Sequence, residues 1–88
     1  MGEYKIVRIT DRDGNDRTDG RYPERIGRTC EKPFARVGLR MEIEYVTKAD
    51  GTPYTGKFLY TSNVIQVEEN GNKLTVTTMN SVFYFEKI

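Results

Sequence analysis

The chain has no histidine, no tryptophan and a single cysteine, Cys30. Without histidine, one chain builds no Ser-His-Asp triad, no Cys-His pair and no histidine-ligated zinc. One cysteine makes neither an internal disulfide nor a multi-cysteine metal site. No apolar run approaches the roughly 20 residues that span a bilayer, so no membrane role is expected. The first ten residues carry Glu3, Lys5 and Arg8 and no apolar stretch, so they do not read as a signal peptide. A lone reduced thiol fits a cytoplasmic setting. A large charge excess is also missing. Lys and Arg number 14, Asp and Glu 13, for a net charge of +1. By bulk charge this excludes a strongly basic nucleic-acid protein and an acidic disordered tail.

Apolar helix formers are scarce too: three Leu and two Ala. Against them stand seven Val, six Ile and ten Thr. Side chains branched at Cβ lose rotamers in a helix and fit a pleated sheet. Six Tyr and four Phe push the same way. The 88 residues are too few for two hydrophobic cores, so one mostly-β domain over residues 1–88 is predicted.

Tyr4 to Thr10 reads as a first strand. Ile6, Val7 and Ile9 break strict alternation, which calls for a bulge or burial on both faces. A long loop follows, about 11–36. Its first part, DRDGNDRTDG, holds two Asp-Gly steps and nothing that enters a core. Within the rest, Ile26, Cys30 and Phe34 are expected to point inward, with a short strand around residues 26–30. Val37, Leu39, Met41, Ile43 and Tyr45 alternate with Gly38, Arg40, Glu42 and Glu44, the pattern of a half-buried strand. Residues 49–56 form a turn. Residues 57–68 read as strand, bent at Thr61-Ser62-Asn63. Asn70-Gly71 marks a hairpin whose favoured turn needs positive φ at both central positions. Two further strands follow, around Leu74 to Thr78 and Val82 to Ile88.

Such a meander leaves two open edges unless the first strand closes it. The expected architecture is therefore a small, partly open barrel of five or six strands. The loop order is similar to that of Src-homology-3-like barrels, although their acidic-aromatic motif and their Trp are absent. An OB-fold is the alternative, but nothing in the sequence supports its usual helix between strands 3 and 4.

All eight Arg lie in the first forty residues. Between residues 21 and 40, Arg21, Arg25, Arg28, Arg36, Arg40 and Lys32 face only Glu24 and Glu31. Guanidinium forks suit planar, bidentate contact with phosphate or carboxylate. Tyr22 lies in the same stretch, and Tyr22 and Tyr54 are expected in loops, next to Pro23 and Pro53. The pair is expected to line one groove between the long loop and the 49–56 turn, as aromatic grooves do in small peptide-binding barrels. The competing arrangement is internal: Asp11, Asp13, Asp16 and Asp19 neutralise these arginines and pin the loop.

Other features carry less. Asp11, Asp13 and Asn15 alternate like the start of a calcium loop. The glycine then falls two places early, and position 12 of the loop is Tyr22 instead of Glu. Cys30 shares strand parity with Ile26 and reads as a buried hydrophobe. Glu42, Glu44, Glu68, Glu69 and Glu86 read as solvated faces, since so small a domain leaves little cleft between carboxylates.

The stretches Arg25-Ile-Gly-Arg28, Tyr60-Thr-Ser-Asn-Val64 and Thr77-Thr-Met-Asn-Ser81, with Tyr84 after them, resemble small uncharacterised β-domain proteins of Firmicutes and their phages or mobile elements. The resemblance implies a compact accessory protein and brings no activity with it.

The sequence thus predicts a non-catalytic binding module without metal or cofactor. It would engage a protein or peptide through Arg21, Tyr22, Arg25, Arg28, Arg36, Arg40 and Tyr54, or through a strand edge. The alternative is nucleic-acid binding by the Arg-rich 21–40 segment. A homodimer paired at a strand edge is a further expectation.

Overall fold

The structure is a computed structural model that describes residues 3–88. Met1 and Gly2, the start of the segment read for a leader, lie outside the described residues. Among the described residues six strands and one helical turn occur: β1 (Tyr4–Thr10), α1 (Tyr22–Arg25), β2 (Thr29–Cys30), β3 (Arg40–Thr47), β4 (Phe58–Asn70), β5 (Lys73–Thr78) and β6 (Val82–Lys87). The strands pair antiparallel in chain order, and β6 returns to β1, so the sheet closes into an irregular ring. β1 and β6 pair with each other, so the two end strands close the ring. No helix separates β3 from β4 among the described residues, and none is long and apolar enough to cross a membrane.

The imperfect alternation of β1 has a geometric cause. Ile6 pairs with Phe85 and Arg8 with the adjacent Tyr84, so Val7 is an extra residue. Such a bulge reverses the parity of the strand. Ile6 and Ile9 therefore both reach the core, at 0% and 2% exposure. They meet Met41, Ile43, Val76, Phe83 and Phe85 there. Burying a side chain of this size contributes about 1.5–3 kcal/mol.

β4 bends where its polar triplet lies. Through Asn63 it pairs with β3, and from Val64 it pairs with β5. One long strand thereby joins both halves of the ring. At the next hairpin the structure corrects the expectation by one residue. Asn70 pairs with Lys73, and Gly71-Asn72 form the two-residue loop. Only Gly71 has positive φ, as a type II′ turn requires.

Four residues expected in the core lie outside it. Val37 and Leu39 are 67% and 52% exposed, because β3 starts only at Arg40. Gly38 takes φ +93°, and the Leu39 amide bonds back to the Arg36 carbonyl, so the chain turns where an extended strand was predicted. Ile26 and Phe34 also face outward. Pro23 and Gly27 make residues 22–27 a helical turn, which leaves β2 only Thr29 and Cys30.

Candidate functional site

The long excursion between β1 and β3 is pinned at both ends. At its start the Asp11 carboxylate accepts hydrogen bonds from the backbone amides of Asp13 and Asn15, at 2.9 and 3.0 Å. The amide of Asn15, above all, holds the Asp11 carboxyl below its ordinary range. Arg8 Nε meets Asp16 Oδ1 at 2.6 Å. Arg17 bonds to Asp19 and reaches across to Ser81 Oγ at 2.8 Å and the Asn80 carbonyl at 3.1 Å. Asp16 and Asp19 are thus paired with Arg8 and Arg17, not with the arginines that follow. Asp11 spends its carboxylate on the backbone.

Pro23 then fixes the φ of the first helical turn, and Gly27 closes it at φ +91°. A Cβ at Gly27 would sit 3.0 Å from that of Ala49. This close approach sets α1 against the β3–β4 connection, and a groove opens between them. It consists of three hollows in a row. The widest, about 620 Å³, lies among Arg21, Pro23, Glu24, Arg28, Lys48 and Tyr54. A small one of about 130 Å³ shares Arg21, Arg28 and Tyr54 and adds Arg25, Tyr45 and Lys57. The third, about 220 Å³, continues from Arg25 and Leu59 to Tyr22 and Tyr60.

Across the groove Arg21, Arg25, Arg28, Lys48 and Lys57 face two carboxylates, Glu24 and Asp50. Asp50 is turned onto Thr52, whose amide and hydroxyl hold its carboxyl low. Glu24 lies 4.0 Å from Arg21 Nε and 3.7 Å from Arg28 Nη2, both beyond hydrogen-bonding distance.

The cations rest on rings. Arg28 Cζ is 5.0 Å from the Tyr45 centroid and 4.8 Å from that of Tyr54. Those two rings lie 5.5 Å apart. Lys48 Nζ is 5.4 Å from Tyr54. Tyr22 carries Arg17 at 4.1 Å and Arg25 at 5.0 Å. Arg28 Nε and Tyr45 Oη are buried without a hydrogen-bond partner. Burial pushes the Tyr45 phenol up; the neighbouring Arg28 fork, close to the hydroxyl though no N–H is aligned on it, opposes that only in part, first by this contact and then by its charge.

Of the residues singled out from the sequence, Arg21, Tyr22, Arg25, Arg28 and Tyr54 come together here. Tyr22 and Tyr54 occupy different hollows of the row, joined through Arg25 and Leu59. Arg36 and Arg40 do not line it. Arg36 lies over Phe34 at 5.7 Å. Arg40 lies over Tyr60 at 5.6 Å and donates from Nε to the Thr61 carbonyl at 2.9 Å. Sequence reasoning missed Tyr45, Lys48 and Lys57 as groove residues. The spacing of Glu24 and Arg28, one helical turn apart, was the legible signal for Glu24.

Cys30 is fully buried, and burial pushes its thiol up to about 12. It is therefore protonated at neutral pH and a poor nucleophile. No group of three or more residues among those described could hold a metal ion. Glu44, Glu68, Glu69 and Glu86 are exposed.

Comparison of the chain with family models, curated proteins and solved structures found no match. Its function is therefore argued from the groove alone.

Proposed function

We propose that the protein is a non-catalytic binding module whose groove takes an acidic, extended segment of a protein or peptide partner. One observation carries this reading. Three of the acidic turn's four aspartates, Asp16, Asp19 and Asp11, are engaged by Arg8, Arg17 and the backbone, and none of the four pairs with a groove cation, leaving five groove cations with two poorly placed carboxylates. An acidic chain supplies the missing charge, and the tyrosines supply contact area at low entropy cost. The unpaired thiol of Cys30 fits a cytoplasmic setting.

Nucleic acid fits the same cations less well. Base stacking needs free ring faces, whereas Tyr22, Tyr54 and Tyr60 already carry guanidinium or ammonium groups. The net charge of +1 also gives weak long-range attraction for a polyanion.

Selection of a random peptide display library on the full chain tests the proposal. Enriched peptides should carry Asp or Glu beside apolar residues, and their binding should fall in Arg21→Ala and Arg25→Ala. Binders without acidic residues, or indifferent to both changes, would refute it. An oligothymidylate that binds more tightly, with log affinity falling by about 0.7 per phosphate contacted per unit log salt, would favour nucleic acid instead.

A further inference from the structure

Arg28 lines both the widest and the smallest hollow. Its side chain is 12% exposed, with Nε buried and the two terminal nitrogens open to the groove. A charge so placed calls for a hydrogen-bonded counter-ion. Arg28 lacks one. Glu24 Oε1 stands 3.7 Å from Nη2, and Nε has no partner at all. The Tyr45 hydroxyl, on a side chain almost wholly buried beside it, is also unpartnered. The rings of Tyr45 and Tyr54 hold the guanidinium in place. Ring contact fixes the plane of the fork without using its N–H groups. A fork that is oriented, under-bonded and open at its terminal nitrogens suits two-point recognition of an oxyanion. Lys57, Arg25 and Arg21 ring the same small hollow.

We infer that Arg28 anchors an oxyanion subsite, which takes a carboxylate or phosphate group of the bound chain, and that Glu24 is the internal anion standing at that subsite when the groove is empty. The inference rests on the groove reading above and deepens it. Glu24 is exposed, belongs to a one-turn helix and sits at long range from both its arginines. An incoming oxyanion displaces it at little cost. Removing its charge should therefore strengthen binding, by about two- to fivefold for an exposed pair of this kind. A purely structural Glu24 would give the opposite or no effect.

The test is an NMR titration of the full chain with sodium acetate and, separately, with inorganic phosphate, at ionic strength held constant with sodium chloride. The Arg28 Nε–Hε signal and the amides of Ala49, Tyr54 and Leu59 are followed. Saturable shifts are expected, with affinity two- to fivefold higher in Glu24→Gln and saturation lost in Arg28→Lys. The anion that saturates at lower concentration distinguishes carboxylate from phosphate. If Arg28→Lys fails to fold, the exposed Glu24→Gln change still decides. Linear shifts equal to those in chloride alone would overturn the inference, as would unchanged or weaker binding in Glu24→Gln. A display-selected peptide that binds while neither anion saturates would keep the groove reading and remove the subsite. Saturable, Glu24-sensitive anion binding with no peptide selected would do the reverse.

Discussion

In the acidic turn, Arg8 and Arg17 end on carboxylates at 2.6 and 3.2 Å. A few residues on, Arg25 and Arg28 end on tyrosine rings at 5.0 and 4.8 Å. Apart from Arg8, which lies on β1, both regions belong to one excursion between β1 and β3, and both mix arginine with acid. The difference lies in what the backbone brings within reach. Two Asp-Gly turns curl the first region onto itself, so its charges meet at short range. Pro23 and Gly27 stiffen the second into a helical turn that faces another loop, and its cations find rings before they find carboxylates. Local charge counting therefore describes the first region and misleads about the second. Arginine bonded to a carboxylate fastens the loop, as Arg17 does even while lying 4.1 Å over Tyr22, whereas arginine held by a ring alone still has its N–H groups to offer.

This contrast can be broken at its strongest point first. Arg17→Ala removes the bonds to Asp19, Ser81 and the Asn80 carbonyl, together with the contact over Tyr22. It should cost about 1–2 kcal/mol, measured as a lower midpoint in urea. An unchanged midpoint would mean that the turn does not fasten the loop. Arg28→Met should behave differently. It replaces an under-paired, mostly buried charge with an apolar chain of similar length, so stability should hold or rise by up to about 1 kcal/mol while partner binding is lost. A large loss of stability would show that Arg28 is structural after all.

Acid and alkali should separate the same two regions. The Asp19 carboxyl is lowered by its hydrogen bond to Arg17, and that of Asp11 by backbone amides. Carboxyls lowered by folding contribute stability above their unfolded value, near 3.8, and lose it as pH falls through the folded value. The acid limb of a pH–stability profile should therefore be shallower in Asp19→Asn. The alkaline limb belongs to the core. Cys30 is raised from 9.0 to about 12 and Tyr45 is raised from 10.0, both mainly by burial. Their neutral forms are favoured by folding, so stability is complete below the unfolded values and declines as pH climbs above about 9. An alkaline limb that starts lower would point to other groups.

The sequence showed most of the fold where burial has a simple period. Met41, Ile43 and Tyr45 alternate into the core, as do Leu74 and Val76 with Phe83 and Phe85. Even the broken alternation of β1 announced the bulge at Val7. The reading failed at Val37 and Leu39, because a left-handed Gly38 is invisible to a pattern of apolar positions. It failed at Ile26 because a one-turn helix has no periodicity to read. In the groove, the residues on α1 and just after it were legible as an arginine cluster beside Tyr22. Tyr45, Lys48 and Lys57 were not, since they arrive from β3 and its following loop through ring closure. Arg36 and Arg40 belonged to the same sequence cluster but do not line the groove: on either side of the turn at Gly38, Arg36 lies over Phe34 and Arg40 lies over Tyr60 at the rim of the third hollow.

The most direct test compares one arginine from each region against the same ligand. A labelled, display-selected acidic peptide is titrated into the unchanged chain, Arg25→Ala and Arg8→Ala. The account predicts an affinity loss of about tenfold in Arg25→Ala, equivalent to ~1.4 kcal/mol, and none in Arg8→Ala. Equal losses in both variants, or a loss only in Arg8→Ala, would contradict it.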